Sequence, residues 1–230
     1  TWLQWTMKIL DYSAIPYAWY IEMWIGLALL TPFLNYMYKA IPSKNQKFLL
    51  LASLFVMTSL PDLFNRYGMY LVPAYFAKAA YPLLFYFAGT FIREYQPRIK
   101  HWQGWALVMS MSMVTPLFNI AVFRGNSDLV QIAGGPGGVF HSWIALAIFL
   151  MLYKKDVSNP PLKRWITHCS LVSLEMYLCC YMFDMLYYPW FKERFFETQS
   201  QFFPWFFVIV PLIFMSSYIV ASIYRIIAKR

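Results

Sequence analysis

Charge is what this sequence has least of. Only 13% of its 230 residues are charged, while 60% are hydrophobic and 21% aromatic. A soluble domain carries about 25% charged residues. The deficit points to lipid as the solvent and argues against an ordinary water-soluble globule. Cysteine is scarce as well. Cys169, Cys179 and Cys180 fall in one apolar segment with no C-x-x-C pair. That excludes a disulfide framework and leaves three small hydrophobes. No H-E-x-x-H, G-x-S-x-G or metal-spaced histidine cluster occurs, so no metal site and no complete catalytic constellation is expected. The chain opens on Thr1, Trp2, Trp5 and Met7 without the basic start and cleavage site of a secretory signal. The absent initiator Met leads us to expect part of a longer protein. No Gly/Ser-rich linker or composition shift divides the chain, so residues 1–230 read as one domain.

What is present is a series of long apolar runs. A helix needs about 20 mostly apolar residues to span a bilayer. Seven runs qualify: Tyr17–Tyr38, Phe48–Leu60 (extendable to Tyr70 with a break at Pro61), Ala74–Ile92, Gln103–Phe123, Val139–Tyr153, Trp165–Tyr187 and Phe203–Ile227. The expected fold is therefore all-α, a polytopic membrane helix bundle of about seven spans. Pro32, Pro82, Pro116 and Pro211 sit inside runs. Each would cost roughly 3 kcal/mol in a soluble helix, but a membrane bundle can re-satisfy the freed carbonyl. Trp19, Trp24, Trp102, Trp105, Trp165 and Trp190 gather near run ends, where indole rings prefer the headgroup zone.

The basic residues alternate by loop. Thirteen of the 19 Lys and Arg fall on one side: Lys39, Lys44, Lys47; Arg93, Arg98, Lys100; Lys154, Lys155, Lys163, Arg164; Arg225, Lys229, Arg230. Only Glu94 and Asp156 offset them there. That side is cytoplasmic by the positive-inside rule. The expected chain starts outside, crosses seven times and ends in the cytoplasm of a cell membrane. The net charge of +9 is then topological bias and not a nucleic-acid footprint.

Ionisable groups in or beside spans are the functional candidates, because a charge at depth is costly. Glu22, Lys78, His141 and Asp184 fall in the outer third of their helices. Asp62, Arg66, Arg124 and Asp128 lie just beyond, and Glu175 is expected near mid-membrane. Such a mixed outer group suits a hydroxyl-rich substrate; the alternative is that these side chains snorkel or pair structurally. Arg164, His168, Glu175 and Cys179 share one stripe of the sixth span. Gly134–Gly138, with Pro136 between, forms either a re-entrant loop or a plain turn before the fifth. Lys154, Lys155, Lys163 and Arg164 either attract a phosphorylated donor or serve only the topology.

The first span carries a resemblance. Its Trp19-Tyr20, Ile25-Gly26-Leu27, Leu29 and Pro32 resemble the W-Y-x-x-x-x-I-G-L-x-L-x-x-P-x-L segment of the acyltransferase 3 family, integral membrane enzymes that O-acylate cell-surface glycans. Tyr81–Gly89 is similar to the family's Y-P-L-x-Y-F-x-x-G helix, and Ser170–Asp184, with Tyr177, to its S-x-x-x-G-I-Y-L segment. Three departures stand out: Trp24 where many members have Glu, Glu175 where Gly is usual, and Cys180 where His often follows.

The resemblance implies about ten helices in the complete protein, with a catalytic histidine in the first, eleven residues after Arg or Lys. His101, His141 and His168 are preceded at that distance by Thr90, Val130 and Val157. No catalytic residue is therefore assigned, and the chain alone is expected to be inactive. The family implies an acyltransferase of groups other than aminoacyl. It would take an acyl group, usually acetyl, from cytosolic acyl-CoA to a hydroxyl of a cell-surface or exported polysaccharide, with no bound cofactor. Partners are then the bilayer, acyl-CoA and the glycan acceptor. Glu22, Arg66, Lys78, His141 and Glu175 are the expected substrate contacts. A transporter or glycan flippase is the alternative. A seven-helix retinal protein is disfavoured, since Phe203–Ile227 lacks a Schiff-base lysine.

Overall fold

The computed structural model describes residues 2, 19–64, 80–123, 137–196 and 199–228. Among these residues every regular element is helical: α1 Trp19–Ala40, α2 Lys44–Thr58, α3 Pro61–Phe64, α4 Tyr81–Tyr95, α5 His101–Phe123, α6 Val139–Leu152, α7 Pro160–Leu171, α8 Ser173–Phe195 and α9 Gln199–Ala228. Two compact units form. A central unit takes Met23–Lys155, and a terminal unit takes Thr1–Glu22 with Asp156–Arg230.

The elements follow local signals. Ser43 accepts a hydrogen bond from the Gln46 amide and caps α2. Asn159 does the same for α7 through Leu162, with prolines following in its first turn. Pro82 falls in the first turn of α4, not in the interior of a span as the apolar run suggested. There its missing N–H costs nothing. The five described threonines, Thr31, Thr58, Thr90, Thr115 and Thr167, each donate to the carbonyl four residues earlier. That bond satisfies the hydroxyl within its own helix and needs no water.

In the central unit α1 and α4 run parallel, with Met23 meeting Tyr81 near their starts and Tyr38 stacking on Phe87 further along. Helix α2 runs against α4, and α5 against α6. Gly104 lies against Met151 at one end of the last pair, and Phe118 against Phe140 at the other. Leu84, Phe87, Ala88, Ile92 and Ala147 are among the buried apolar residues of these helices. Gly137, at φ 94, sits where a Cβ would come within 2.7 Å of Tyr81 Cβ, so the last part of the glycine run is a close-packed turn into α6. Gly134, Gly135 and Pro136 lie outside the described residues.

In the terminal unit α8 and α9 form an antiparallel pair. Val172 and Met176 pack on Ala221 at one end, and Phe191 and Phe196 on Ile209 at the other. The sixth apolar run is not one straight helix. It breaks at Val172, and α7 and α8 meet at 75°. The Ser173 hydroxyl donates back to the Ser170 carbonyl, the kind of side-chain competition that bends helices. Arg225 donates to the Leu171 carbonyl, which the break would otherwise leave unsatisfied. The expected stripe of Arg164, His168, Glu175 and Cys179 is therefore divided between two helices.

Among the described residues one helix, Gln201–Ala228, is long and apolar enough to cross a membrane by itself; the bent pair α7–α8 is a second candidate if taken as one broken span. Outward faces are apolar on other helices too. Leu29, Phe33 and Tyr36 line one side of α1, and Met109, Met113 and Leu117 one side of α5, all more than half exposed. Patches of this kind mark contact with lipid or with another protein.

Candidate functional site

The antiparallel order of the central unit gathers three loops at one end. They are the α1–α2 turn with Lys44, the segment 96–100 after α4, and the end of α6 with Lys154 and Lys155. Tyr153 donates to the Pro97 carbonyl at 3.2 Å, and Lys154 to Gln96 Oε1 at 2.7 Å. The loops that the charge pattern assigned to one side thus meet at one end of this unit.

The same end holds an ion pair with its ammonium buried and its carboxylate exposed. Lys47 Nζ donates to both carboxylate oxygens of Glu94, at 2.8 and 2.9 Å. The Lys47 side chain is 9% exposed and that of Glu94 40%. The ammonium also lies 4.5 Å from the Tyr38 ring centroid and 5.7 Å from that of Tyr95, a cation–π arrangement. Both charges flank the apolar runs, Lys47 just before the second and Glu94 just after the third. The Lys47 hydrogen bond holds Glu94 below the usual carboxylate range, and the Glu94 hydrogen bond raises Lys47. A carboxylate held this way is a poor proton acceptor. The pair is a clamp between α2 and α4, not an acid–base couple. The Tyr38 hydroxyl is buried beside it, close to the Glu94 carboxylate.

Next to the clamp lies a cavity of about 620 Å³. Phe48 and Phe55 of α2, Leu84 and Ile92 of α4, and Trp143 and Leu150 of α6 form its walls, and Pro97, Ile99 and Gln103 its basic end. Apart from Gln103 and the Trp143 indole, every lining side chain is apolar. Its volume falls in the range of about 300–1,000 Å³ typical of small-molecule sites.

The terminal unit joins two of the sequence segments that carry the resemblance. Tyr20 and Tyr177 pack with ring centroids 4.9 Å apart. Glu22 and Glu175 each stand two residues from that contact, Glu22 exposed and Glu175 half-buried, and neither has a hydrogen bond or ion pair among the described residues. Trp19 is edge-on to Tyr20. Gly26 and Pro32 are exposed, and a Cβ at Gly26 would meet open space. His141 is exposed at the start of α6 in the central unit. Arg66, Lys78, Arg124 and Asp128 lie outside the described residues. Sequence reasoning missed two contacts: the Lys47–Glu94 clamp, and His168, half-buried on α7, whose Nδ1 is 3.0 Å from the Tyr218 hydroxyl. The clamp left one trace, because Glu94 and Asp156 were the only acids on the basic side. Each makes an ion pair, the second with Lys163 at 2.8 Å. Among the described residues no His, Cys, Asp and Glu cluster is spaced to hold a metal.

These features define a chain that is helical throughout its described residues, with at least one helix suited to crossing a membrane. An acyltransferase domain, the acyltransferase 3 family model, matches residues 1–222, and the chain belongs to that family of membrane-associated acyltransferases. No curated protein and no solved structure matches the chain.

Proposed function

We propose that this chain belongs to a multi-pass membrane O-acyltransferase, with its C-terminus cytoplasmic. The enzyme takes an acyl group from cytosolic acyl-CoA to a hydroxyl of a cell-surface or exported polysaccharide. The family match over residues 1–222 carries the reading. The basic end of the central unit supports it, since clustered cations attract the phosphates of a CoA donor. Glu22, Arg66, Lys78, His141 and Glu175 are the proposed acceptor contacts, their mix of signs suited to sugar hydroxyls. Acetyl is the family's usual acyl group.

The test is transfer of radiolabel from acyl-CoA to glycan by membranes containing the complete gene product. Label in the polysaccharide is expected. No transfer from any acyl-CoA with suitable acceptors would sink the reading. The 75° break between α7 and α8 is the feature a transporter would use, and glycan movement without acyl transfer would favour that alternative.

A further inference from the structure

The cavity of the central unit is far larger than an acetyl group requires. On α2 its wall runs from Phe48 to Phe55, seven residue steps, and on α4 from Leu84 to Ile92, eight. At 1.5 Å per residue these walls are about 11 and 12 Å long. One leaflet of a bilayer, half of a hydrocarbon core of about 30 Å, is only slightly deeper. The cavity is thus as long as most of a lipid tail and almost wholly apolar.

Its ends differ. At one end Pro97, Ile99 and Gln103 contribute lining. Their neighbours Arg98 and Lys100 are exposed and, like Arg93 and Lys155, have no carboxylate partner among the described residues. The two carboxylates nearest in sequence do not neutralise them, since Glu94 is held by Lys47 and Asp156 by Lys163. At the other end stand Phe55, Leu84 and Trp143; among the described residues no charged side chain enters the lining at either end, and Arg98 and Lys100 stand beside it in sequence. An apolar slot with a cationic mouth matches an amphiphile with one hydrocarbon chain and a phosphate-bearing head.

We infer that this cavity receives the hydrocarbon chain of the acyl donor, a medium- or long-chain acyl-CoA. The thioester head lies at the Arg98–Lys100 end, and the chain terminus lies between Phe55, Leu84 and Trp143. The inference rests on the acyl-CoA reading above and narrows it from acetyl to longer chains. Each methylene buried in the slot tightens binding roughly fourfold. Acetyl-CoA, with almost no chain to bury, is the weak ligand of the series.

The full-length protein is purified in nanodiscs and exposed to dodecanoyl-CoA bearing a diazirine at its terminal carbon. Label is expected on peptides containing Phe55, Leu84 or Trp143. Unlabelled octanoyl- and dodecanoyl-CoA should compete in order of chain length, at least tenfold better than acetyl-CoA or free CoA. Ala52→Trp and Leu146→Trp place bulk in the slot from two different helices. Both should cut dodecanoyl-CoA binding by tenfold or more and leave free CoA binding unchanged, with each variant's fold checked by its thermal midpoint. Equal competition by acetyl- and dodecanoyl-CoA, or unchanged binding in both well-folded variants, overturns the inference while leaving acyl transfer intact. Displacement of the label by dodecanoyl lysophospholipid but not by any CoA thioester also overturns it, assigning the slot to a membrane lipid. Failure of every thioester in the glycan-transfer assay is a separate result and removes the acyltransferase reading itself.

Discussion

Lys47 shows how one residue serves two purposes. It counts toward the basic side, yet it is buried and spends its charge on Glu94. Removing one partner of such a pair leaves the other unpaired and costs far more than replacing both by apolar groups. Glu94→Gln is therefore expected to lower the thermal midpoint more than the double variant Lys47→Met with Glu94→Leu. A double-mutant cycle on the purified protein checks the order, and a double variant less stable than both singles would contradict the clamp. Acid and alkali should act through different partners. Glu94 is lowered, so its share of stability is present above the ordinary carboxylate pKa of about 4.3 and is lost as pH falls through its lower folded value. Lys47 is raised, so its share is present below about 10.4 and is lost as pH climbs past its folded value. Thermal midpoints across the pH range should show a plateau around neutrality. Lys47→Met should flatten the acid limb that this pair contributes.

At the scale of elements, the apolar runs located most helices. Gln103–Phe123 and Phe203–Ile227 lie within α5 and α9, and Val139–Tyr153 overlaps α6 up to its last residue. Run length and composition suffice where a helix is long and uninterrupted. They do not register a bend. The run Trp165–Tyr187 reads as one span because its hydropathy is continuous, while its geometry turns on the Ser173 hydroxyl, which contributes little to any average. The clamp was illegible for another reason. Lys47 and Glu94 are 47 positions apart, and only the antiparallel packing of α2 on α4 brings them together. The Tyr20–Tyr177 contact joins two segments that each carried part of the family resemblance, yet nothing in their separate patterns fixes that they touch. Gly137 offers an element-scale test. Its positive φ and the nearness of Tyr81 allow no side chain. Gly137→Ala should destabilise the α4–α6 junction by about 1–3 kcal/mol, read as a lower thermal midpoint. Gly26→Ala, with open space around it inside α1, should not lower the midpoint and should raise it slightly, since Ala favours a helix interior over Gly by up to about 1 kcal/mol.

For the whole molecule the open matter is orientation in the membrane. The packing of the central unit and the charge pattern make separate statements about it. Packing puts Gln96–Lys100 together with Tyr153 and Lys154 at one end. It puts Gly137 and Ser142, with Ser59, at the other. In the proposed topology, which follows the charge pattern, the first end faces the cytoplasm. Single-cysteine labelling tests both statements at once. In a background with Cys169, Cys179 and Cys180 replaced by Ala, the substitutions Arg98→Cys, Lys155→Cys and His141→Cys, all at exposed positions, are made one at a time in the complete protein. A membrane-impermeant maleimide added to intact cells should modify only the His141→Cys protein. Permeabilised cells should give modification of all three. Modification of Arg98→Cys and Lys155→Cys in intact cells, with His141→Cys protected, would invert the orientation and place the cavity mouth away from cytosolic acyl-CoA. Accessibility of all three in intact cells would mean that α4 and α6 do not cross the bilayer, and the multi-pass reading would fall with them.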